Sequence, residues 1–178
     1  MKLLLSFLIL FCSSFFAGCG ERSANVDAPQ VYDRDGVRFD YPGNWDITAD
    51  QQMEALRYVL VESPGNALVI MQIYPIEDAL TLLEFAEGFA ASMKEEIEMG
   101  QVGDSDFGSE VQSSKYSDID ETFSITLLNQ KVPHQRKYRR FDYGNEICFL
   151  IFQSSEEDLG KTLQGYEQIT SSFRYLND

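Results

Sequence analysis

The chain has 178 residues, 14 of them basic and 29 acidic, with a formal net charge of −15 and an isoelectric point near 4.3. A chain this acidic repels nucleic acid and anionic lipid headgroups, so no nucleic-acid partner is expected. Neither GxGxxG nor GxxxxGK[ST] occurs, and the single histidine has no histidine partner. These features predict no cofactor and disfavour triad-type catalysis.

The first residues have the parts of a secretory signal peptide. Lys2 supplies a positive charge, and the apolar run from Leu3 to Phe11 is too short to span a bilayer. The ending Phe16-Ala17-Gly18-Cys19 resembles the lipobox of bacterial lipoproteins. That resemblance implies a diacylglycerol thioether on Cys19, cleavage after Gly18 and an N-acyl chain such as palmitate. The alternative is an ordinary secreted protein cut near Gly18.

Lipidation at Cys19 has consequences for location. Two or more acyl chains hold a protein stably on a membrane. Gly20 stands where enteric inner-membrane lipoproteins have Asp, so the resemblance implies an outer-membrane protein facing the periplasm. Loss of residues 1–18 removes Lys2 and leaves 160 residues with 13 basic and 29 acidic side chains, a net charge of −16. Attachment must therefore come from lipid and not from charge.

Three segments are predicted: a signal peptide (1–18), a lipidated N-terminus with a tether (19–35) and one domain (36–178). The segment from Gly20 to Asp35 is polar and has no apolar periodicity. Such composition is typical of a flexible connection, and we expect it to separate the lipid from the domain.

The first half of the domain contains three predicted strands and two predicted helices. The strands are Val37–Tyr41, 57–62 and 67–74, and the last two form a hairpin through a Pro-Gly-Asn turn. A short helix is predicted over 48–56. A longer helix begins at a capping box, Thr81 with Glu84, and ends near Met99 and Gly100.

An acidic loop over 100–108 precedes four strands and a terminal helix. The strands are expected over 109–116, 122–128, 135–143 and 146–154. The run from Ile147 to Phe152 is apolar at every position, as in a central strand covered on both faces. The terminal helix carries an apolar stripe formed by Leu159, Leu163, Tyr166, Ile169 and Phe173.

This order of elements predicts an α+β fold with a mostly antiparallel sheet covered by helices. The sequence Tyr41-Pro42-x-x-Trp45 after a strand, and Ser171-Ser172-Phe173 at the end of the terminal helix, resemble PsbP-like domains. The resemblance covers about residues 36–176. It implies an α/β/α sandwich that acts by binding and not by catalysis. The photosystem role of some members is not implied.

Few residues of the sequence are candidates for catalysis or metal binding. His134, beside Pro133, is expected to be a solvated loop residue, and Cys148 to be a buried small hydrophobe. The acidic loop Asp104 to Glu110 resembles part of a calcium loop, but Phe107 replaces a ligand and no Glu closes it. An acidic solvated turn is therefore the prediction, and no metal ligand is assigned.

One strand is unusually basic. It contains Arg136, Lys137, Tyr138, Arg139 and Arg140, in a chain that is otherwise acidic. A binding site for an anionic partner is one interpretation, because Arg makes bidentate contacts with anions. The other is internal pairing, because alternation along a strand would divide these charges between the two faces of the sheet.

The sequence predicts a lipid-anchored, non-catalytic module of the cell envelope. Its partners would be membrane lipid, through Cys19, and an envelope protein. The alternative function is an envelope lipoprotein that binds a small anionic ligand or a divalent cation.

Overall fold

The computed structural model describes residues 20–53, 55–78, 80–96 and 100–176. Its helices are α1 (Leu82–Glu96) and α2 (Leu159–Ser172), each preceded by a 3₁₀ turn. The strands in chain order are β1 (Gln30–Arg34), β2 (Val37–Tyr41), β3 (Asp46–Met53), β4 (Leu56–Glu62), β5 (Leu68–Pro75), β6 (Gln101–Val102), β7 (Asp106–Phe107), β8 (Val111–Gln112), β9 (Ser117–Leu127), β10 (Gln130–Tyr143), β11 (Glu146–Ser155) and β12 (Arg174–Tyr175).

The centre of the domain is a large antiparallel sheet. Its strand order is β3-β4-β5-β11-β10-β9-β6, and β7 and β8 also pair with β9. The three short strands thus cover successive parts of β9, which protects an otherwise long open edge. β11 lies in the middle, as its continuous apolar sequence predicts.

Both faces of this sheet are buried. On one face, α1 packs through Leu82, Phe85 and Ala86 onto residues that include Phe149 and Ile151 of β11. The rings of Phe85 and Phe149 are stacked with centroids 3.9 Å apart. This pairing fixes the helix directly over the central strand.

The opposite face is covered by α2 and a small sheet of order β1-β2-β12. Cys148, Leu150 and Phe152 of β11 face this second core. Cys148 is a buried free thiol, as predicted, and burial raises its pKa. The α2 stripe faces inward: Tyr166, Ile169 and Phe173 are buried, and Leu159 and Leu163 pack partly against them. The predicted α+β fold with helix-covered sheet faces is confirmed.

Two local predictions differ from the structure. The described residues of 48–56 form no helix, because β3 pairs along almost the whole of β4, with a register shift between Ile47 and Ala49. The strand expected over 109–116 is reduced to the two residues of β8. The α1 capping box is confirmed, since the Thr81 amide and hydroxyl both donate to Glu84 Oε2. α1 ends at Glu96, and its predicted end at Met99 lies outside the described residues.

The predicted flexible tether over 20–35 is wrong for the residues that the structure describes. Its second half contains β1, which pairs with β2 over five residues. Tyr32 is buried and its ring stacks on Phe39, with centroids 4.8 Å apart. Most polar side chains of this segment are exposed, but some bond to the domain: Gln30 Nε2 donates to the Trp45 carbonyl at 3.1 Å and Arg34 Nη1 to Asp50 at 3.3 Å.

Candidate functional site

The first predicted site is the lipid anchor at Cys19. Cys19 and the signal peptide lie outside the described residues, so lipidation stays a prediction. Within the described ranges, no helix has both the length and the apolar content needed to cross a membrane. Gly20, the next residue, is exposed.

Glu21, two residues after Cys19, is clamped in the β4–β5 turn. It is 7% exposed. Its Oε2 accepts hydrogen bonds from Ser63 Oγ at 2.6 Å and from the Asn66 amide at 2.9 Å. Gly65 is required beside it, because a Cβ there would overlap the Glu21 carboxylate. The domain therefore holds the chain immediately after the predicted lipidated residue.

The residues that follow are also tied to the domain. The Ala24 amide donates to the Lys161 carbonyl at 2.8 Å, near the start of α2. The Asn25 amide donates to Asn44 Oδ1, also at 2.8 Å. Gln168 Nε2 of α2 donates to the Val26 carbonyl at 3.0 Å. Residues 24–26 therefore lie beside α2 and are held to the domain by hydrogen bonds to their backbone groups.

The sheet register places the clamp at one end of the molecule. Leu68 pairs with Gln153, which pairs with Arg136, which pairs with Glu121. Beyond this row the β4–β5 turn, the end of β11 and the β9–β10 hairpin all extend in the same direction. We call this the proximal end. The β10–β11 turn at Gly144 and the start of α1 lie at the opposite, distal end.

The basic strand is β10, and two of its predicted binding residues are buried. Arg136 and Tyr138 are both 0% exposed. Arg136 Nη1 donates to Glu121 Oε2 at 2.8 Å, and Tyr138 OH donates to the same oxygen at 2.6 Å. The Arg136 guanidinium also lies 4.0 Å from the ring centroid of Phe123. Burial raises the pKa of Tyr138, so its phenol remains protonated.

The other three residues of the basic strand are paired with aspartates. Lys137 Nζ lies 2.9 Å from Asp120 Oδ1, and Arg139 makes two 2.6 Å bonds to Asp118. Arg140 pairs with Asp142 at 2.9 Å and donates to the Leu80 carbonyl. The strand does not gather its five residues into one site. Their contacts match the internal-pairing interpretation.

The acidic loop is part of the sheet edge. Asp106–Phe107 is β7, Asp104 lies 3.1 Å from Lys94 Nζ, and the Ser105 hydroxyl donates to Glu121. Among the described residues, no group of three or more His, Cys, Asp or Glu side chains is arranged to hold a metal ion.

His134 is buried in β10 and is not the solvated loop residue that the sequence predicts. It is 8% exposed, its Nδ1 lies 3.0 Å from the Val132 carbonyl, and its ring lies 5.5 Å from that of Phe123. Burial lowers its pKa below the ordinary value. Proline beside it suggests a turn in sequence, but Pro133 is within the long β10 strand.

This burial predicts a pH dependence of stability. Below about pH 6.5 the unfolded chain binds a proton at His134 before the folded chain does, so stability falls as the pH falls. His134→Gln should reduce the loss in unfolding free energy between pH 7.5 and 5.5, measured by urea titration. Equal losses in the two proteins would contradict the burial of this side chain.

Comparison with known proteins adds the fold family. No family model matches the chain, and no curated protein does. The solution structure of cyanobacterial PsbP (CyanoP) from Synechocystis sp. PCC 6803 is 12% identical, with 90% of this chain and 99% of that chain aligned and a TM-score of 0.56. The fold is thus the α+β PsbP-like fold implied by the Tyr-Pro-x-x-Trp resemblance. At this identity the likeness shows the fold alone.

Two other solved structures match less well. A protein from Bacteroides thetaiotaomicron VPI-5482 is 11% identical, with 80% of this chain and 46% of that chain covered and a TM-score of 0.48. LpqN, involved in cell envelope biogenesis of Mycobacterium tuberculosis, is 11% identical, with 84% and 90% coverage and a TM-score of 0.43.

Proposed function

We propose that this protein is a lipid-anchored, non-catalytic binding module of the cell envelope, attached through acylated Cys19. The clamp on Glu21 carries the proposal. A signal peptide cut after Gly18 leaves Cys19 as the first residue, and the folded domain begins two residues later. Gly20, in place of Asp, favours the outer membrane facing the periplasm. No described cluster of anion-binding or metal-binding groups favours the alternative ligand-binding function.

The anchor predicts the behaviour of Cys19→Ser. Without a thiol no thioether forms, so the protein should leave the membrane fraction or keep its signal peptide. Fractionation and mass spectrometry of the N-terminal peptide measure both outcomes. Lys115→Ser, at an exposed position of the loop before β9, is the control and should leave lipidation intact. A processed Cys19→Ser protein that stays on the membrane would contradict the proposal.

The distal end is the surface we propose for an envelope protein. Ile76, Leu80 and Leu83 are 42–47% exposed, and all three lie just before or at the start of α1. Arg140 holds this region by donating to the Leu80 carbonyl at 2.8 Å. Exposed apolar side chains that occur together mark interaction surfaces more often than isolated ones do. Their position opposite the anchor leaves them open to a partner.

Cross-linking from α1 tests this surface in intact cells. A photo-cross-linking amino acid at Leu83 should capture one discrete envelope protein. The same probe at exposed Glu95, about 18 Å along the helix, should not. Leu83→Asp should abolish the product from a probe at Leu80 without lowering the melting temperature. Equal capture from Leu83 and Glu95 would remove the distal end as the docking surface.

A further inference from the structure

Leu128 is in an unusual position at the tip of the β9–β10 hairpin. It is 87% exposed, the most exposed large apolar side chain that the structure describes. Leu128 and Asn129 form a two-residue turn with φ of 49° and 65°. Turns with two positive φ values favour Asn and Gly, and a bulky side chain there is strained. The fold therefore gains nothing visible from leucine at this position.

The hairpin tip is at the proximal end and projects beyond the rest of it. From the paired row at Arg136, the tip is about seven residues away, or roughly 23 Å at 3.3 Å per residue. The β4–β5 turn extends only about three residues, or roughly 10 Å, past the same row. The first residues of β10, from Gln130 to Pro133, pair only with β9, because the pairing of β10 with β11 begins at His134. The tip is thus the most advanced part of the proximal end along the strand direction.

The clamp on Glu21 limits how far this end can be from the membrane. Two peptide units separate Cys19 from Glu21, a reach of at most about 8 Å. Because the acyl chains on Cys19 are embedded in the bilayer, the proximal end cannot move away from the lipid surface. A hairpin that projects further than the clamp reaches that surface when the strands point toward the bilayer.

We propose that the β9–β10 hairpin tip inserts Leu128 into the phospholipid surface that holds Cys19, so that the domain lies on the bilayer in one orientation. This inference rests on the proposed lipid anchor. Glu156 and Glu157 are also exposed at the proximal end, and the mature chain is acidic, so this end has no electrostatic attraction to anionic headgroups. The proposed contact is therefore apolar. Lys131, close to the tip, can extend its ammonium to the headgroups while its methylene groups lie among them.

The experiment uses the lipidated full-length protein in phosphatidylcholine vesicles. Leu128→Cys is labelled with an environment-sensitive fluorophore, and buried Cys148 does not compete for the reagent. Asn145→Cys, exposed at the distal turn of the same β10 strand, is the matched control. Nitroxide-labelled phosphatidylcholine should quench the fluorophore at position 128 several-fold more than at 145, and iodide should show the reverse order. Equal quenching at the two positions would overturn the proposal.

A linker separates the roles of anchor and hairpin. A flexible Gly-Ser insertion between Gly20 and Glu21 should leave the protein lipidated but reduce nitroxide quenching at position 128. Unchanged quenching would overturn the claim that the short attachment sets the orientation. If the N-terminal peptide carries no lipid, the proposed function fails and this inference fails with it. If lipid is present but position 128 remains in water, the inference alone fails.

Discussion

Arg136→Ala is expected to lower the free energy of unfolding by about 3–5 kcal/mol, the cost of breaking a buried ion pair. The substitution leaves the Glu121 carboxylate fully buried without its cation, and it removes the partner of Gln153, whose Oε1 accepts from Arg136 Nε at 2.7 Å. Urea titration of the wild type and variant measures the loss. A loss below about 1 kcal/mol would mean that the pair is open to water.

Lys137→Ala is the matched control for this prediction. Lys137 is the next residue of the same strand, on the other face, and its ion pair with Asp120 is partly exposed. Exposed pairs contribute about 0–1 kcal/mol, so the loss should be small. Replacing Glu121 and Arg136 together with apolar residues of similar size should cost less than Arg136→Ala alone, because no unpaired charge remains.

Gly165→Leu is expected to lower the free energy of unfolding by about 3 kcal/mol, the upper end for overpacking of a core. A Cβ at position 165 would lie 2.7 Å from Trp45 Cζ2 and 2.8 Å from Pro42 Cγ. Trp45 is fully buried and cannot swing away. α2 would have to move off the second core, which thermal unfolding would report as a lower melting temperature.

Gly88→Leu is the corresponding control on α1. Nothing lies within 4 Å of a Cβ at that position, so the substitution adds only helix propensity. It should leave stability unchanged or raise it by up to about 1 kcal/mol. If the two leucine variants have the same stability, the close packing of α2 on Trp45 is not the reason for glycine at position 165.

The tyrosine and tryptophan of the Tyr-Pro-x-x-Trp sequence show why much of the fold was predictable. Trp45 packs beside Gly165 of α2, far along the chain, and Tyr41 is buried in the same core. The turn between them is visible in the sequence as Pro42-Gly43-Asn44. Long apolar periodicity predicted α1, α2 and the central strand for the same reason: each must bury one or two faces. Residues 48–56 gave no such signal, because half of an edge strand faces water.

The candidate site was harder to predict. Glu21 looks like any polar residue of a flexible segment, and only the positions of Ser63 and Asn66 in space show that it is clamped. Its one sequence signal was Gly65, a glycine in a turn. Arg136 was placed in a basic strand, but the burial of its guanidinium depends on Glu121, fifteen residues earlier. Pairing across strands, not composition, decides whether a charge is buried.

The small sheet has a consequence for how the protein folds. β12 pairs with β2, and the Asp40 amide donates to Ser172 Oγ, across 132 positions of sequence. Until the C-terminal residues have been synthesised and have left the ribosome, α2 cannot pack on Phe39 and Trp45. Contacts of such long sequence separation form slowly. A newly made chain would thus remain open until its last residues are available, and on the proposed export route its fold would close only after translocation.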